Sequence, residues 1–390
     1  MRSSRRFNDF VDTYTKDLKA EDLQRLFTRD ARDAYYFFAR HIDFSQAANL
    51  PWHKRVLTNT RLFFLAFTMK LSPARRMVYA VSLLFAVIGF INLLRLRPVE
   101  AAQIGHVTVI FPGIAIPSGV GTLLLAFALM NLLVLLEVAD RLSLKNDLEI
   151  AREIQQAMLP SGLYSAPGVE TVGMSRPANT VGGDFYDILP LGDGRLVVAV
   201  GDVSGKGSPA ALLMALLLAM MRTLVDERLE PADLITRLNT QICRHAPGSR
   251  FITLFYGVFQ PLSGELTYVN AGHMPPLIIR AGGQAERLTD GGIALGMFDR
   301  STYSAGRAVF SAGDLLSVYS DGITEAESST GRPFDELGLE TALKANQHSS
   351  LSSIGAAVVA AVERHTGDTK FADDLTILLL RPNAPTPVGV

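Results

Sequence analysis

Two stretches of this 390-residue chain carry no Asp, Glu, Lys or Arg: Met77 to Leu94, 18 residues, and Val107 to Leu136, 30 residues. At about 1.5 Å per helical residue the first reaches roughly 27 Å, close to the ~30 Å hydrocarbon core of a bilayer. Pro112 and Pro117 interrupt the second. Proline forfeits a helix hydrogen bond and clashes with the preceding turn, so the spanning helix is placed at about 119–138. The pair predicts a transmembrane hairpin over 77–138, with spans at about 77–94 and 119–138. Two helices buried in a water-soluble domain are the alternative, and the length and purity of both runs weigh against it.

Lys54, Arg55, Arg61, Lys70, Arg75 and Arg76 precede the first span, and Arg141 and Lys145 follow the second. By the positive-inside rule both flanks face the cytoplasm, although Arg95 and Arg97 in the connection pull the other way. The expected location is the inner (cytoplasmic) membrane, multi-pass, with everything after the hairpin cytoplasmic. No apolar core follows the charged residues Met1 to Tyr14, so no secretory signal is expected.

The net charge of −1 hides an asymmetry: residues 1–76 hold 15 basic and 8 acidic residues, and the remainder 22 and 30. The acidic bulk excludes nucleic acid as the expected partner. The single cysteine, Cys243, rules out an internal disulfide and, with 7 histidines, a thiolate zinc site.

Residues 1–76 read as a helical cytoplasmic N-terminal region, with Leu23, Leu26, Phe27 and Tyr35 to Phe38 on it, and Leu62–Met69 apolar enough to lie on the membrane surface. Residues 139–160 read as a coiled-coil signalling linker. Leu144, Leu148, Ala151 and Met158 form a short seam on a charged background, which implies a homodimer through this helix. A helix lying on the membrane is the alternative. Pro160 and Gly162 end it.

Residues 161–382 change texture to short apolar runs with turn signals. Phe185–Leu191 and Arg195–Val200 flank Gly192-Asp193-Gly194, and Leu254–Phe259 and Glu265–Val269 flank Leu262-Ser263-Gly264, two hairpin patterns. Further strands are expected at Leu277–Arg280, Ala308–Phe310, Leu315–Tyr319 and Leu375–Leu380. Helices are expected at Pro209–Asp226, Pro231–His245, Asp335–Ala345 and Leu351–His365. Hairpin-linked strands with helices between them indicate an α+β domain on antiparallel sheets. Residues 383–390 read as a disordered tail.

Four segments set an aspartate beside a glycine turn or a second acid at a strand end: Gly182-Gly183-Asp184, Gly201-Asp202-Val203-Ser204-Gly205-Lys206-Gly207, Ser320-Asp321-Gly322 and Ala372-Asp373-Asp374-Leu375-Thr376. Alternation puts Asp202 on the same face as Val198 and Val200. A charge on an apolar face must be paired or neutralised, and these segments offer carboxylates with one nearby cation, Lys206. A divalent ion solves the problem. Oxygen ligands without His or Cys favour Mg²⁺ or Mn²⁺. Two ions ~3.5–4 Å apart would suit hydrolysis of a phosphate ester by in-line attack of water.

Together with Arg176-Pro177-Ala178, Val181 to Asp187, Asn270-Ala271-Gly272-His273 and Tyr319 to Glu325, these strings resemble, in order and spacing, the SpoIIE/RsbU branch of the metal-dependent (PPM, type 2C) protein serine/threonine phosphatases. The likeness runs over about Ala151–Arg381 and includes the linker string Ile154-Gln155-Gln156-Ala157-Met158-Leu159-Pro160. It implies a two-sheet antiparallel β-sandwich flanked by helices, with two Mn²⁺ or Mg²⁺ ions at one edge and a metal-activated water as the nucleophile. Carried over motif by motif, Asp202 bridges both ions and Asp184 binds one or orients its water. Asp321 and Asp373 complete the second ion, and the Val203 carbonyl reaches the first. Asp374, Arg176, Gly183 and Gly322 are expected behind these ligands or against the phosphate. The branch also implies a phosphorylated anti-anti-sigma protein of the STAS type as substrate. The family's phosphate-gripping arginine is missing, since Asn179 and Thr180 occupy its neighbourhood.

Three further readings are weighed. His273 could act as a general acid or order its loop. Gly205-Lys206-Gly207-Ser208 departs from a nucleotide P-loop because Gly207 follows the lysine. Gly-Gly-Asp hints at a nucleotide cyclase, but Phe185-Tyr186 stands where Glu-Phe is required. A membrane receptor using a catalytically silent domain to bind a partner is the alternative function, and four retained aspartates argue against it.

Overall fold

The computed structural model describes residues 51–94, 101–104, 107–110, 119–246, 250–367 and 371–383. The expected helical pattern at 1–50 and the tail from 384 lie outside the described residues. The chain divides into two compact units, Met1–Leu142 and Ser143–Val390.

In the first unit, α1 (Trp52–Met69) and α2 (Pro73–Leu94) are followed by a strand pair, β1 (Ala101–Ile104) and β2 (Val107–Ile110), and by α3 (Val120–Met158), which continues into the second unit. The strand pair takes up the start of the second uncharged run, and the helix begins beyond the prolines. α2 and α3 run as a hairpin. At one end Arg75 reaches Glu137 at 3.2 Å and Asp140 at 2.7 Å; at the other, Gly119 lies so close that a Cβ there would stand 2.1 Å from the Gly89 carbonyl. Both helices are long and apolar enough to cross a membrane and leave most of their side chains outward. Helix α4 (Ser208–Val225) also reaches that length and hydropathy. Its Ala210, Leu213, Met214, Leu217, Leu218 and Met221 are instead spent on a β-sheet, so it is a core helix.

The second unit is a sandwich. The remaining elements are β3 (Leu163–Ala166), β4 (Val169–Arg176), β5 (Phe185–Pro190), β6 (Leu196–Val203), α5 (Pro231–His245), β7 (Ile252–Gln260), β8 (Glu265–Ala271), β9 (Leu277–Ile279), β10 (Ala285–Arg287), β11 (Gly291–Gly292), β12 (Gly306–Val309), β13 (Leu315–Tyr319), α6 (Asp321–Thr324), α7 (Asp335–Asn346), α8 (Leu351–Thr366) and β14 (Leu375–Arg381). One sheet has the order β10-β9-β13-β14-β4-β3; the other is β11-β8-β7-β6-β5, with β12 also on β8. All pairings are antiparallel except β11 with β8.

Alternation decides the layers. Val198 and Val200 of β6 meet Leu316 and Val318 of β13 and Leu378 and Leu380 of β14 between the sheets. Val197 and Ala199 face α4 and α5, while Leu315, Tyr319, Ile377 and Leu379 face α7 and α8. The expected strands and helices therefore form, most within one or two residues. β3, β4, β10, β11 and α6 have no counterpart in the sequence reading: β3, β10, β11 and α6 are two to four residues long, too short to show a period, and β4 breaks its apolar alternation with Glu170, Thr171 and Gly173.

The expected linker seam is modified at its end. Leu144 is exposed and Leu148 half-buried, but Met158 packs on the core of the second unit. Arg222 of α4 donates to the Met158 carbonyl at 2.7 Å and to the buried carboxylate of Asp187 at 2.8 Å. The last turn of α3 thus belongs to the sandwich.

The two sheets are in tight contact at Gly173 of β4, where a Cβ would stand 2.1 Å from the Tyr186 ring of β5. Gly173→Ala is expected to lower unfolding free energy by about 1–3 kcal/mol, the scale of overpacking in a full core. Denaturant unfolding followed by far-ultraviolet circular dichroism checks it, and an unchanged midpoint would show that the ring can give way.

Candidate active site

Each sheet delivers two of the four aspartates to one edge. In β5 and β6 the register pairs Phe185 with Gly201, so Asp184, just before β5, and Asp202, near the end of β6, lie side by side. In β13 and β14 the pairing of Tyr319 with Ile377 brings Asp321, first residue of α6, to the same edge as Asp373. Asp202 continues the face of Val198 and Val200, as alternation predicts, and leaves the inter-sheet core at its rim.

The electrostatics show that these carboxylates share one space. Burial, then repulsion from Asp202, lifts the Asp184 pKa well above the ordinary carboxylate range, against help from the hydroxyls of Ser320 and Thr376. Burial and then repulsion from Asp321 and Asp373 push Asp202 up to about 6. Burial and Asp373 also raise Asp321. Like charges are being held together at a cost.

Asp374 plays a different part from its neighbour. It is 5% exposed; its Oδ1 accepts from the Ala178 N–H at 2.7 Å and its Oδ2 from the Gly183 N–H at 2.8 Å. Both oxygens are thereby committed to the loop that carries Asp184, so Asp374 ties one sheet's edge to the other's. A Cβ at Gly182 would stand 2.3 Å from Asp374 Oδ2, and one at Gly322 2.1 Å from the Asp374 carbonyl. Those two glycines let the loops close around it.

Among the described residues no three His, Cys, Asp or Glu side chains already form a ready-made ligand cluster. The donor set nevertheless fits a divalent ion. Asp184 is 4% exposed and its Oδ2 is buried without a hydrogen-bond partner, which is costly unless a cation completes it. A Cβ at Gly183 would meet the Val203 carbonyl at 2.9 Å and Asp202 Oδ1 at 3.0 Å, so glycine keeps open a space that both oxygens face. All these donors are hard oxygens, as Mg²⁺ and Mn²⁺ prefer.

The remaining candidates separate. Arg176 pairs with Glu363 and stacks over Phe371 at 5.2 Å. His273 orders its loop: its N–H donates to Asn270 Oδ1 at 2.7 Å, its Nδ1 lies 2.9 Å from Thr253 Oγ1, and burial lowers its pKa to about 4. Lys206 reaches Asp373 Oδ2 at 2.9 Å and the Ala372 carbonyl at 2.6 Å. An open cleft of about 340 Å³ beside Asp373 is lined by Gly322, Glu325, Ala372 and Phe371. A larger groove of about 890 Å³ between α7 and α8 contains none of the aspartates. Sequence reading missed Gln155, whose side-chain amide donates to the Gly182 carbonyl at 2.8 Å and accepts from its N–H at 3.1 Å.

This arrangement has relatives. Residues 192–383 match the family model described as Stage II sporulation protein E (SpoIIE). These residues form a SpoIIE-family domain. Protein IcfG of Synechocystis is 30% identical over 275 residues, 63% of this chain and 43% of that protein. The phosphoserine phosphatase RsbU of Bacillus subtilis is 26% identical over 242 residues, covering 61% of this chain and 70% of RsbU. The chain thus spans less than half the length of IcfG. The SiaA-PP2C domain of Pseudomonas aeruginosa superimposes with a TM-score of 0.54 at 21% identity, over 62% of this chain and 98% of that domain. The SpoIIE-family domain therefore has the PP2C fold that the residue motifs imply.

The raised pKa values fix a pH dependence. A carboxylate whose folded pKa exceeds its unfolded value favours folding below the unfolded pKa, and that contribution is lost as the pH rises through the folded one. For Asp202 the window runs from 3.8 to about 6. In EDTA, Asp202→Asn should therefore melt above the wild type at pH 7.5, by roughly 2–4 °C if about 1 kcal/mol of repulsion is relieved, and the gap should close near pH 4. A gap independent of pH would contradict the crowding of these acids.

Proposed function

We propose that this chain is a membrane-anchored, metal-dependent protein serine/threonine phosphatase. The observation that carries the reading is the gathering of Asp184, Asp202, Asp321 and Asp373 at one edge of a SpoIIE-family sandwich, with a buried, unpartnered oxygen on Asp184. The substrate is a phosphoserine or phosphothreonine on a regulatory protein, and the motif resemblance selects a phosphorylated STAS-type anti-anti-sigma factor. The name of RsbU as a phosphoserine phosphatase supports the reaction class.

In this reading Asp202, the Val203 carbonyl and Asp184 would hold one divalent ion, and Asp202, Asp321 and Asp373 would hold the other. Two bound Mn²⁺ or Mg²⁺ ions would supply Lewis acidity, lowering the pKa of an attacking water and drawing charge from the phosphoryl oxygens. Gly183 leaves room for that water and phosphate to approach the carboxylates. Asp374 holds the Gly183 amide, so the loop bearing Asp184 does not recoil from its like-charged neighbours. His273 is not the general acid, because burial lowers its pKa to about 4 and leaves the ring without the imidazolium proton at neutral pH.

The apolar helices Pro73–Leu94 and Val120–Met158 support anchoring as a hairpin, and the basic flanks support a cytoplasmic catalytic domain at the inner membrane. Exposed Leu144 and half-buried Leu148, at the start of the seam on α3, support a homodimer through the linker.

Phosphate release from a phosphorylated STAS protein should require Mn²⁺ or Mg²⁺ and stop in EDTA. Asp202→Asn should reduce it by at least about 10²–10³-fold, the scale of losing one preorganised electrostatic contact. A wild type that is inert with every divalent ion and still binds the partner would favour the receptor reading. For the linker, Leu148→Glu should shift the full chain in detergent from dimer to monomer and change phosphatase activity severalfold. Light scattering and turnover unchanged together would remove the dimer.

A further inference from the structure

We propose that Lys206 is a built-in rival cation that competes with a divalent ion for Asp373. The proposal rests on the metal reading above and assigns a role to a motif residue that reading leaves unused. Lys206 Nζ donates to Asp373 Oδ2 at 2.9 Å and to the Ala372 carbonyl at 2.6 Å. Among the described ion pairs it is the one cation paired with any of the four aspartates, and that aspartate is Asp373. The other basic groups nearby are committed elsewhere: Arg250 donates to the Ser204 carbonyl at 2.9 Å, and Arg176 pairs with Glu363.

The backbone fixes where the lysine stands. Gly205 and Gly207 on either side adopt φ of +98° and +76°, conformations that favour glycine. These turns carry the chain from Asp202 around to the start of α4, and they let the half-exposed Lys206 side chain reach Asp373 on the opposite sheet's edge. An ammonium and a divalent ion need the same carboxylate oxygen. The ammonium must therefore leave or turn aside when the ion enters, and at this range its charge opposes the ion even if it stays. The same charge offsets the mutual repulsion of the acids, so the lysine steadies the edge at the expense of ion affinity. It is a positioning residue, acting on the metal through Asp373.

The test uses the full chain in nanodiscs, titrated calorimetrically with Mn²⁺ at low salt and melted in EDTA and in saturating Mn²⁺. Lys206→Gln, which keeps a hydrogen-bond donor but loses the charge, should bind Mn²⁺ about tenfold more tightly. It should melt lower than wild type in EDTA and no lower in Mn²⁺. Lys206→Arg, which keeps the charge, should stay near wild-type affinity, and the difference between Gln and wild type should shrink as salt screens the site. Unchanged or weaker Mn²⁺ binding by Lys206→Gln, with the wild type binding normally, would overturn the rivalry and leave the metal site standing. Absence of Mn²⁺ binding in both proteins would overturn the metal reading and the rivalry with it.

Discussion

The second unit is organised around holding like charges together. Four carboxylates from two sheets meet at one rim, and mutual repulsion would drive the loops apart if the sheets were free to move. The inter-sheet core, with Val198 and Val200 against Val318 and Leu378, sets the separation of the sheets. The registers of β5 on β6 and of β13 on β14 set the height at which each acid emerges. Because neighbouring strands are antiparallel, each pair offers one strand end and one strand start at the same rim. Two acids per sheet can therefore arrive there with only short loops.

Much of this was legible in the residues. Period-two alternation located β6 and placed Asp202 on the inter-sheet face, and the helical period located α5 with the bounds Pro231–His245. The acidic motifs could be picked out because each is local: an aspartate beside a glycine or a second acid at a strand end. What stayed hidden depends on contacts between distant segments. Nothing local separates Asp373 from Asp374, yet Asp374 is buried on the amides of Ala178 and Gly183 while Asp373 faces Lys206. Gln155 stands in the linker string but its partner is equally hidden, since a glutamine on a charged helix reads as solvated until Gly182 is placed beside it.

Hydropathy alone also misassigns a helix. Ser208–Val225 is as long as many membrane spans and strongly apolar, and it lies within the fold because β6 and β7 offer it a surface with matching spacing. The hairpin helices Pro73–Leu94 and Val120–Met158 have no such partner among the described residues and remain mostly exposed. Apolar length becomes evidence for a membrane only once the domain's own sheets have been given the chance to bury it.

The rim departs from the rules that hold elsewhere in the sandwich. Side chains alternate and interlock through the core, but at the rim Gly182, Gly183 and Gly322 replace side chains where the loops come within contact of Asp374, Asp202 and the Val203 carbonyl. Glycine costs chain entropy on folding, and buried, unpaired carboxylate oxygen costs more. A sequence selected for stability alone would fill those spaces and neutralise those acids. Their coexistence at one edge, braced by Asp374 and by the last turn of α3, marks the place where this fold gives up stability to keep oxygen atoms available to a cation.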